Sequence, residues 1–537
     1  MGYPKLLIIL NPIESDISPK TWGRGPRLAD NSRGTPQVAQ ERHRDLNLGT
    51  PVPYHACDFF TRPQMNANRL AALIAAALIT VGAQSPAQAP AKYEPTIESL
   101  DRHPLPDWYA GAKLGIFIHW GLYSVPGWAP LNHPDHDFSS NDYIKYDPYA
   151  EWYLNTMRVP GSPTEAYHKE HFGANFSYYE FAPEFNRESK KWNPDAMAAV
   201  FKAAGARYVV LTSKHHEGFT LWPSSTPNPN PTLKPSQLHT ERDIVGDLTK
   251  AVRAQGLRMG LYYSGGYDWT FNTGPILVNA DYQTVKPETE AYGKYANAQI
   301  HELIERYKPS LLWNDIDWPK TGDALGVEAD YYNAVPDGVI DDRFGIKHAD
   351  FTSPEYAKLD HISEKKWEEC RGLGRSFGYN RAEGENETIA PADLIALLVD
   401  IVSKNGNLLL DVGPEANGTI PPVQMERLKV LGAWLQQNGE AIYETTPWTR
   451  AVGKTAEGDD LRFTRKGSDL YVTLLGTPKS RTATIADLPV KPSAQVSILG
   501  DPNPIEWKAN GEGSRISLPE KLPGNYAYVF KLAGYAR

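Results

Sequence analysis

From about Leu105 to Tyr443 this chain alternates short apolar runs with segments of helical spacing, and that alternation narrows its possible folds more than any other feature. The runs are Leu114–Ile118, Arg207–Thr212, Leu257–Tyr263, Ser310–Trp313, Gly338–Ile340, Ser376–Tyr379 and Asn407–Asp411. Between them lie amphipathic stretches such as Pro194–Ala203, Asp243–Gln255, Thr289–Tyr307 and Pro391–Ser403. Strands flanked by helices indicate parallel βα units. So many units in one stretch crowd a single open nucleotide-binding sheet, so the expected fold is an α/β (β/α) TIM-like barrel over 101–446, with some helices irregular or missing. A last helix, Pro422–Gln437, stops at Asn438-Gly439. After Pro447 come short strand-like runs divided by Gly, Pro and Asp turns, which predict a C-terminal antiparallel β-sandwich over 447–537.

In such a barrel the chemistry sits at the C-terminal ends of the strands. Here those ends are polar and aromatic. They read His119-Trp120-Gly121, Lys214-His215-His216-Glu217, Tyr262-Tyr263-Ser264, Trp313-Asn314-Asp315 and Asp341-Asp342-Arg343. One such end is unremarkable, because strand ends are exposed. Five together predict an active site. No G-x-G-x-x-G or P-loop pattern is present, which argues against nucleotide binding. The adjacent pair His215-His216 is awkward for shared metal ligation, since neighbours on a strand face opposite ways. The expectation is therefore no metal and no cofactor. Carboxylates, imidazoles and indoles around a pocket are the usual equipment of a glycoside hydrolase. The 14 Trp and 29 Tyr supply flat faces that suit sugar rings.

A mean hydropathy of −0.48 and 22% charged residues fit a soluble globular chain. The net charge of −9 argues against nucleic acid or an anionic membrane as partner. Two Cys are too few for a disulfide framework or a Cys-rich zinc site. Met65-Asn66-Ala67-Asn68-Arg69, followed by the apolar run Leu70–Val81 and small residues, has the parts of a secretory signal peptide. The expectation is a signal over 65–83, cleaved after Ala83 rather than Ala89, and a linker over 84–100. Residues 1–64 are expected to be a non-native or disordered extension, with translation starting at Met65. The exported protein, periplasmic or extracellular, would then keep Cys370 alone as a buried thiol.

The strand-end residues also carry a resemblance. Lys113-Leu114-Gly115-Ile116-Phe117-Ile118-His119-Trp120-Gly121, Glu151-Trp152-Tyr153, Lys214-His215-His216-Glu217-Gly218-Phe219, Trp313-Asn314-Asp315 and Asn405-Gly406-Asn407-Leu408-Leu409-Leu410 resemble the family 29 glycoside hydrolases, the retaining α-L-fucosidases. The likeness covers roughly 100–535. The family usually has Asp after the paired His, where this chain has Glu217. The resemblance implies a nucleophile at Asp315, with Asp317 as rival. It implies an acid/base at Glu355, with Glu368 and Glu369 as rivals on what would be solvated loop positions. It implies sugar contacts from His119, Glu151, Trp152, His215, His216 and Tyr262, and a lining from Trp313, Arg343 and Phe377. Trp222 and Trp269 fit core packing at least as well. The implied substrate is a fucosylated oligosaccharide or glycoconjugate. An α-L-galactosidase or other deoxyhexosidase on the same scaffold, or a non-catalytic sugar-binding relative, are the other readings. Linkage preference and oligomeric state are not legible.

Overall fold

The computed structural model describes residues 92–131, 141–272, 274–492 and 494–536. The expected extension 1–64, the signal peptide and the first part of the linker lie outside the described residues. Seven parallel strands form one sheet: β1 (Leu114–Ile118), β2 (Tyr208–Lys214), β3 (Arg258–Ser264), β4 (Leu311–Asp315), β5 (Val339–Ile340), β6 (Trp367–Gly372) and β7 (Gly406–Val412). Their order is β5-β4-β3-β2-β1-β7-β6. The sheet curls until its two edges approach each other. The extended stretch 351–355 bridges them, pairing Phe351 with Asp341 after β5, and Thr352 and Glu355 with Trp367 and Cys370 of β6. That stretch carries the candidate acid/base, so the closure of the barrel and the placing of Glu355 are one event.

Side chains alternate across each strand, and the two faces go to two cores. Phe117, Val210, Tyr262, Leu311, Trp313, Val339, Cys370 and Leu409 fill the barrel interior. Ile116, Ile118, Val209, Leu211, Leu312, Leu408 and Leu410 face outward, against Phe201, Leu248, Leu398 and Leu431 of the surrounding helices. Those helices start where the sequence provides caps. Asn193 accepts from the Ala196 N–H before Pro194–Ala203, Asp243 from Gly246 before Ile244–Ala254, and Thr289 from Tyr292 before Glu290–Tyr307. Tyr93 exchanges backbone hydrogen bonds with the Asn333 side chain, and Leu100 is fully buried. Residues 92–100 are thus docked on the barrel, whereas the sequence reading has them as linker.

Nine strands follow, β8 (Thr446–Lys454), β9 (Asp460–Lys466), β10 (Asp469–Leu475), β11 (Thr482–Ile485), β12 (Gln495–Ile498), β13 (Asp501–Pro504), β14 (Trp507–Asn510), β15 (Gly513–Ser517) and β16 (Ala527–Ala533). They make a six-stranded antiparallel sheet, β13-β12-β16-β10-β9-β8, and a three-stranded one, β11-β15-β14, around their own apolar core. One strand expected in the barrel fails. Ser376–Tyr379 is a loop and not a strand, and the strand in that part of the chain is β6.

Candidate active site

Asp315 ends β4, where the chain reverses at once. Ile316 and Asp317 both take left-handed backbone, at φ 61° and 67°. A β-branched residue there is strained by about 1–3 kcal/mol. The reversal is possible because the β3 turn nests into it through Gly265-Gly266. The Gly266 N–H donates to the Asp315 carbonyl at 3.0 Å, and a Cβ on Gly266 would lie 1.6 Å from the Ile316 carbonyl oxygen.

Three donors hold the Asp315 carboxylate. The Tyr262 hydroxyl donates to Oδ2 at 2.8 Å; Arg343 Nη1 and the Ile316 N–H donate to Oδ1 at 2.9 and 3.0 Å. Burial, and then the facing carboxylate, push the Tyr262 phenol well up, so it keeps the proton it donates. The same Nη1 of Arg343 reaches Glu355 Oε1 at 2.8 Å. The two carboxylate oxygens can therefore be no farther apart than these two contacts laid end to end. That span is compatible with the roughly 5–5.5 Å a double-displacement pair needs. Burial opposes charge on Arg343, but Glu355 and then Asp315 outweigh it and raise its pKa well above the ordinary value. Its guanidinium lies 4.4 Å over the Trp313 ring and donates to the Ser353 hydroxyl and carbonyl at 3.0 and 2.6 Å. Asp315 is the recessed carboxylate, its side chain 11% exposed, and Glu355 the accessible one at 37%.

Around this pair stand the imidazoles. His119, after β1, places Nδ1 2.7 Å from Asp411 of β7. His216 places Nδ1 2.7 Å from Ser264 Oγ and Nε2 3.8 Å from Asp315 Oδ2. His215 stacks on Tyr262 at 5.7 Å and turns Nδ1 toward Glu217 at 3.6 Å. Burial first, and then the neighbouring imidazole or imidazoles, lower the pKa values of His119 and His216 well below the ordinary range, which makes them neutral hydrogen-bonding groups. Glu151 lies in the turn Ala150–Trp152, where the Gly378 N–H donates to it at 2.7 Å and Ser376 Oγ lies at 3.2 Å. Burial raises its pKa. Trp152 meets His216 edge-on at 5.2 Å, and Phe377 leans on His119 at 5.0 Å. All eleven residues named from the sequence thus fall into one linked cluster.

None of the rivals shares the Arg343 contact that joins Asp315 and Glu355. Asp317 turns away to an ion pair with Lys286 at 2.6 Å. Glu368 and Glu369 are not loop residues but buried residues of β6. Glu368 sits inside the barrel, taking hydrogen bonds from the Tyr109 and Tyr208 hydroxyls and from Trp313 Nε1 at 2.9, 2.5 and 3.2 Å. Trp222 is core, whereas Trp269 backs the site, 5.5 Å from Trp152 and 5.6 Å from His216. Sequence reasoning missed Asp411, Ser264 and Ser353 as supports. Asp411 had a signal, a lone carboxylate closing the apolar run Leu408-Leu409-Leu410. Among the described residues no group of three His, Cys, Asp or Glu converges as metal ligands would.

A family model described as α-L-fucosidase matches residues 80–440, and one described as the α-L-fucosidase C-terminal domain matches 455–533. Tissue α-L-fucosidase of Rattus norvegicus is 33% identical over 476 residues, which cover 85% of this chain and 96% of that one. α-L-Fucosidase of Dictyostelium discoideum is 34% identical over 473 residues, 82% of this chain and 95% of that one. Among solved structures, Thermotoga maritima α-fucosidase in complex with a mechanism-based inhibitor is similar at 43% identity and a TM-score of 0.75. That match covers 82% of this chain and 100% of that one.

Proposed function

The chain belongs to the α-L-fucosidase family, glycoside hydrolase family 29, and from that premise we propose that Asp315 is the nucleophile and Glu355 the acid/base of this retaining, exo-acting α-L-fucosidase. The observation that carries the assignment is the single Arg343 nitrogen shared by the two carboxylates. In the first step an Asp315 oxygen attacks C1 of fucose while Glu355 gives a proton to the departing glycosidic oxygen. In the second, Glu355 takes a proton from water, which attacks C1 and releases Asp315. Donors on both Asp315 oxygens favour its departure as a carboxylate. Glu151 and the neutral imidazoles recognise hydroxyls, and Phe377 and Trp152 supply the apolar surface toward the methyl group of a sugar without a 6-hydroxyl. An α-L-galactoside carries a hydroxyl there and would lose that fit. Export through the signal at 65–83 is part of the same proposal, supported by the basic and apolar pattern of that stretch; N-terminal sequencing of secreted protein tests it.

Asp315→Asn should keep the fold and lose activity on nitrophenyl α-L-fucoside by several orders of magnitude. Azide added to Asp315→Gly should restore turnover and give the β-fucosyl azide. Wild-type turnover by Asp315→Asn would refute the assignment.

A further inference from the structure

We propose that Ser264 is a positioning residue that fixes the proton of His216 on Nδ1, so that its Nε2 presents a lone pair to the sugar. The proposal rests on the active site assigned above. Ser264 is the last residue of β3, fully buried, and lies in register beside Asp315 of β4. Its hydroxyl has one proton. That proton faces the Tyr267 carbonyl at 2.8 Å, which has none to give. The other contact of the same oxygen, 2.7 Å to His216 Nδ1, must then be an N–H donated by the ring. The Tyr267 carbonyl is in place because the turn before it, Gly265-Gly266, fits against Ile316 with no room for a side chain at Gly266. The arrangement is therefore built by the same turn that sets Asp315.

A second proton on the ring is disfavoured by its surroundings. Trp152, Tyr267 and Trp269 stand edge-on to it at 5.2, 5.2 and 5.6 Å, and the ring is 2% exposed. Nε2 thus carries a lone pair, 3.8 Å from Asp315 Oδ2. Two acceptors face each other at a distance too long for a hydrogen bond. A sugar substituent entering between them satisfies Nε2 only by bringing an O–H. A hydrogen or fluorine there leaves the lone pair unmet in a buried site, which is costly. Asp411 at His119 can either take or give a proton, so that pairing does not dictate a tautomer. The Ser264 pairing does.

The test uses the full chain labelled with ¹⁵N-histidine, with the His216 resonance identified by its loss in His216→Gln. Two-bond ¹H–¹⁵N correlations should show Nδ1 protonated and Nε2 bare in the wild type, and a mixture or the opposite tautomer in Ser264→Ala. In kinetics on a series of monodeoxy nitrophenyl α-L-fucosides, removal of one particular hydroxyl should cost the wild type about 10- to 100-fold in kcat/KM. Ser264→Ala should shrink that one penalty and leave the others, and Ser264→Thr, which keeps the hydroxyl, should restore it. A wild-type His216 protonated on Nε2 overturns the proposal. So does a Ser264→Ala variant that slows every fucoside equally with all the penalties unchanged. A chain inactive on every fucoside would defeat the activity reading instead, and the tautomer measurement would still decide the role of Ser264.

Discussion

Nη1 of Arg343 touches both carboxyl groups, and this sets a condition on the chemistry. A general acid must turn its carboxyl to the glycosidic oxygen of the bound substrate to give up its proton. Glu355 must therefore part from Arg343 when the glycosidic oxygen comes between them, and its accessible position allows that. Glu355→Ala should consequently hurt most where the leaving group needs a proton. On a fucosyl disaccharide we expect a loss of about 10²–10⁴-fold, with a much smaller one in the first step on a substrate with a good leaving group. The second step loses its base in either case, so a fucosyl-enzyme at Asp315 should accumulate and appear as a burst. Azide needs no deprotonation and should relieve it, giving the α-fucosyl azide. Equal slowing of both substrates with no azide effect would make Glu355 a binding residue. Sequence patterns supply these side chains but not their partners. The ion pair of Asp317 with Lys286, for one, spans two distant loops.

At the level of elements, the periodic pattern delivers what it physically encodes. Leu114–Ile118, Pro194–Ala203 and Pro391–Ser403 form with the limits read from the sequence, since each is a clean apolar pattern between strong stops. β6 escapes because it runs Trp-Glu-Glu-Cys-Arg-Gly, and its polar residues, Glu368 held by two tyrosine hydroxyls and an indole N–H, do not read as an apolar run. Ser376–Tyr379 misleads for the opposite reason. Its aromatics suit a strand, but they fold over the site as a loop whose Gly378 N–H holds Glu151. β13, with prolines at 502 and 504, is an edge strand where missing N–H groups are tolerated. What no periodicity reveals is the nested pair of turns after β3 and β4. Gly266→Ala tests that pairing. Its Cβ would meet backbone rather than a yielding side chain, so the two turns must separate. We expect about 1–3 kcal/mol of lost stability and a fall of at least about tenfold in kcat, through a displaced Asp315. A melting temperature and kcat both like wild type would show that the turns do not set the nucleophile.

On the scale of the whole molecule, the barrel is braced from outside and holds buried ionisable groups within. The sandwich holds the last barrel helix, Pro422–Asn438, through Trp434 Nε1 donating to the Ala527 carbonyl at 3.0 Å and Gln437 donating to Leu499 and Pro523. Inside, Glu368 is pushed by burial up to about 7, against the pull of its Tyr208, Tyr109 and Trp313 donors. Buried Glu369, on the other face of β6, is also raised to about 7. Burial lowers Lys113, next to β1, to about 8. A carboxyl that titrates near 7 when folded and at about 4.5 when unfolded keeps its proton in the native state over that interval, while the unfolded chain has lost it. The native state binds more protons there, so this contribution to stability falls as pH rises from about 4.5 to 7, by up to about 1.4 kcal/mol per pH unit, and then levels off. For Lys113 the unfolded chain holds the extra proton between about 8 and 10.5, so its contribution rises with pH in that range. Glu368→Gln removes one falling term without emptying the space under Trp313. Its melting temperature, compared with wild type buffer by buffer, should shift progressively in favour of the variant from pH 5 to pH 7, with the difference then steady to pH 8. A difference that stays flat across that range would mean that Glu368 is ionised throughout, its charge carried by the two tyrosine hydroxyls and the indole N–H that surround it.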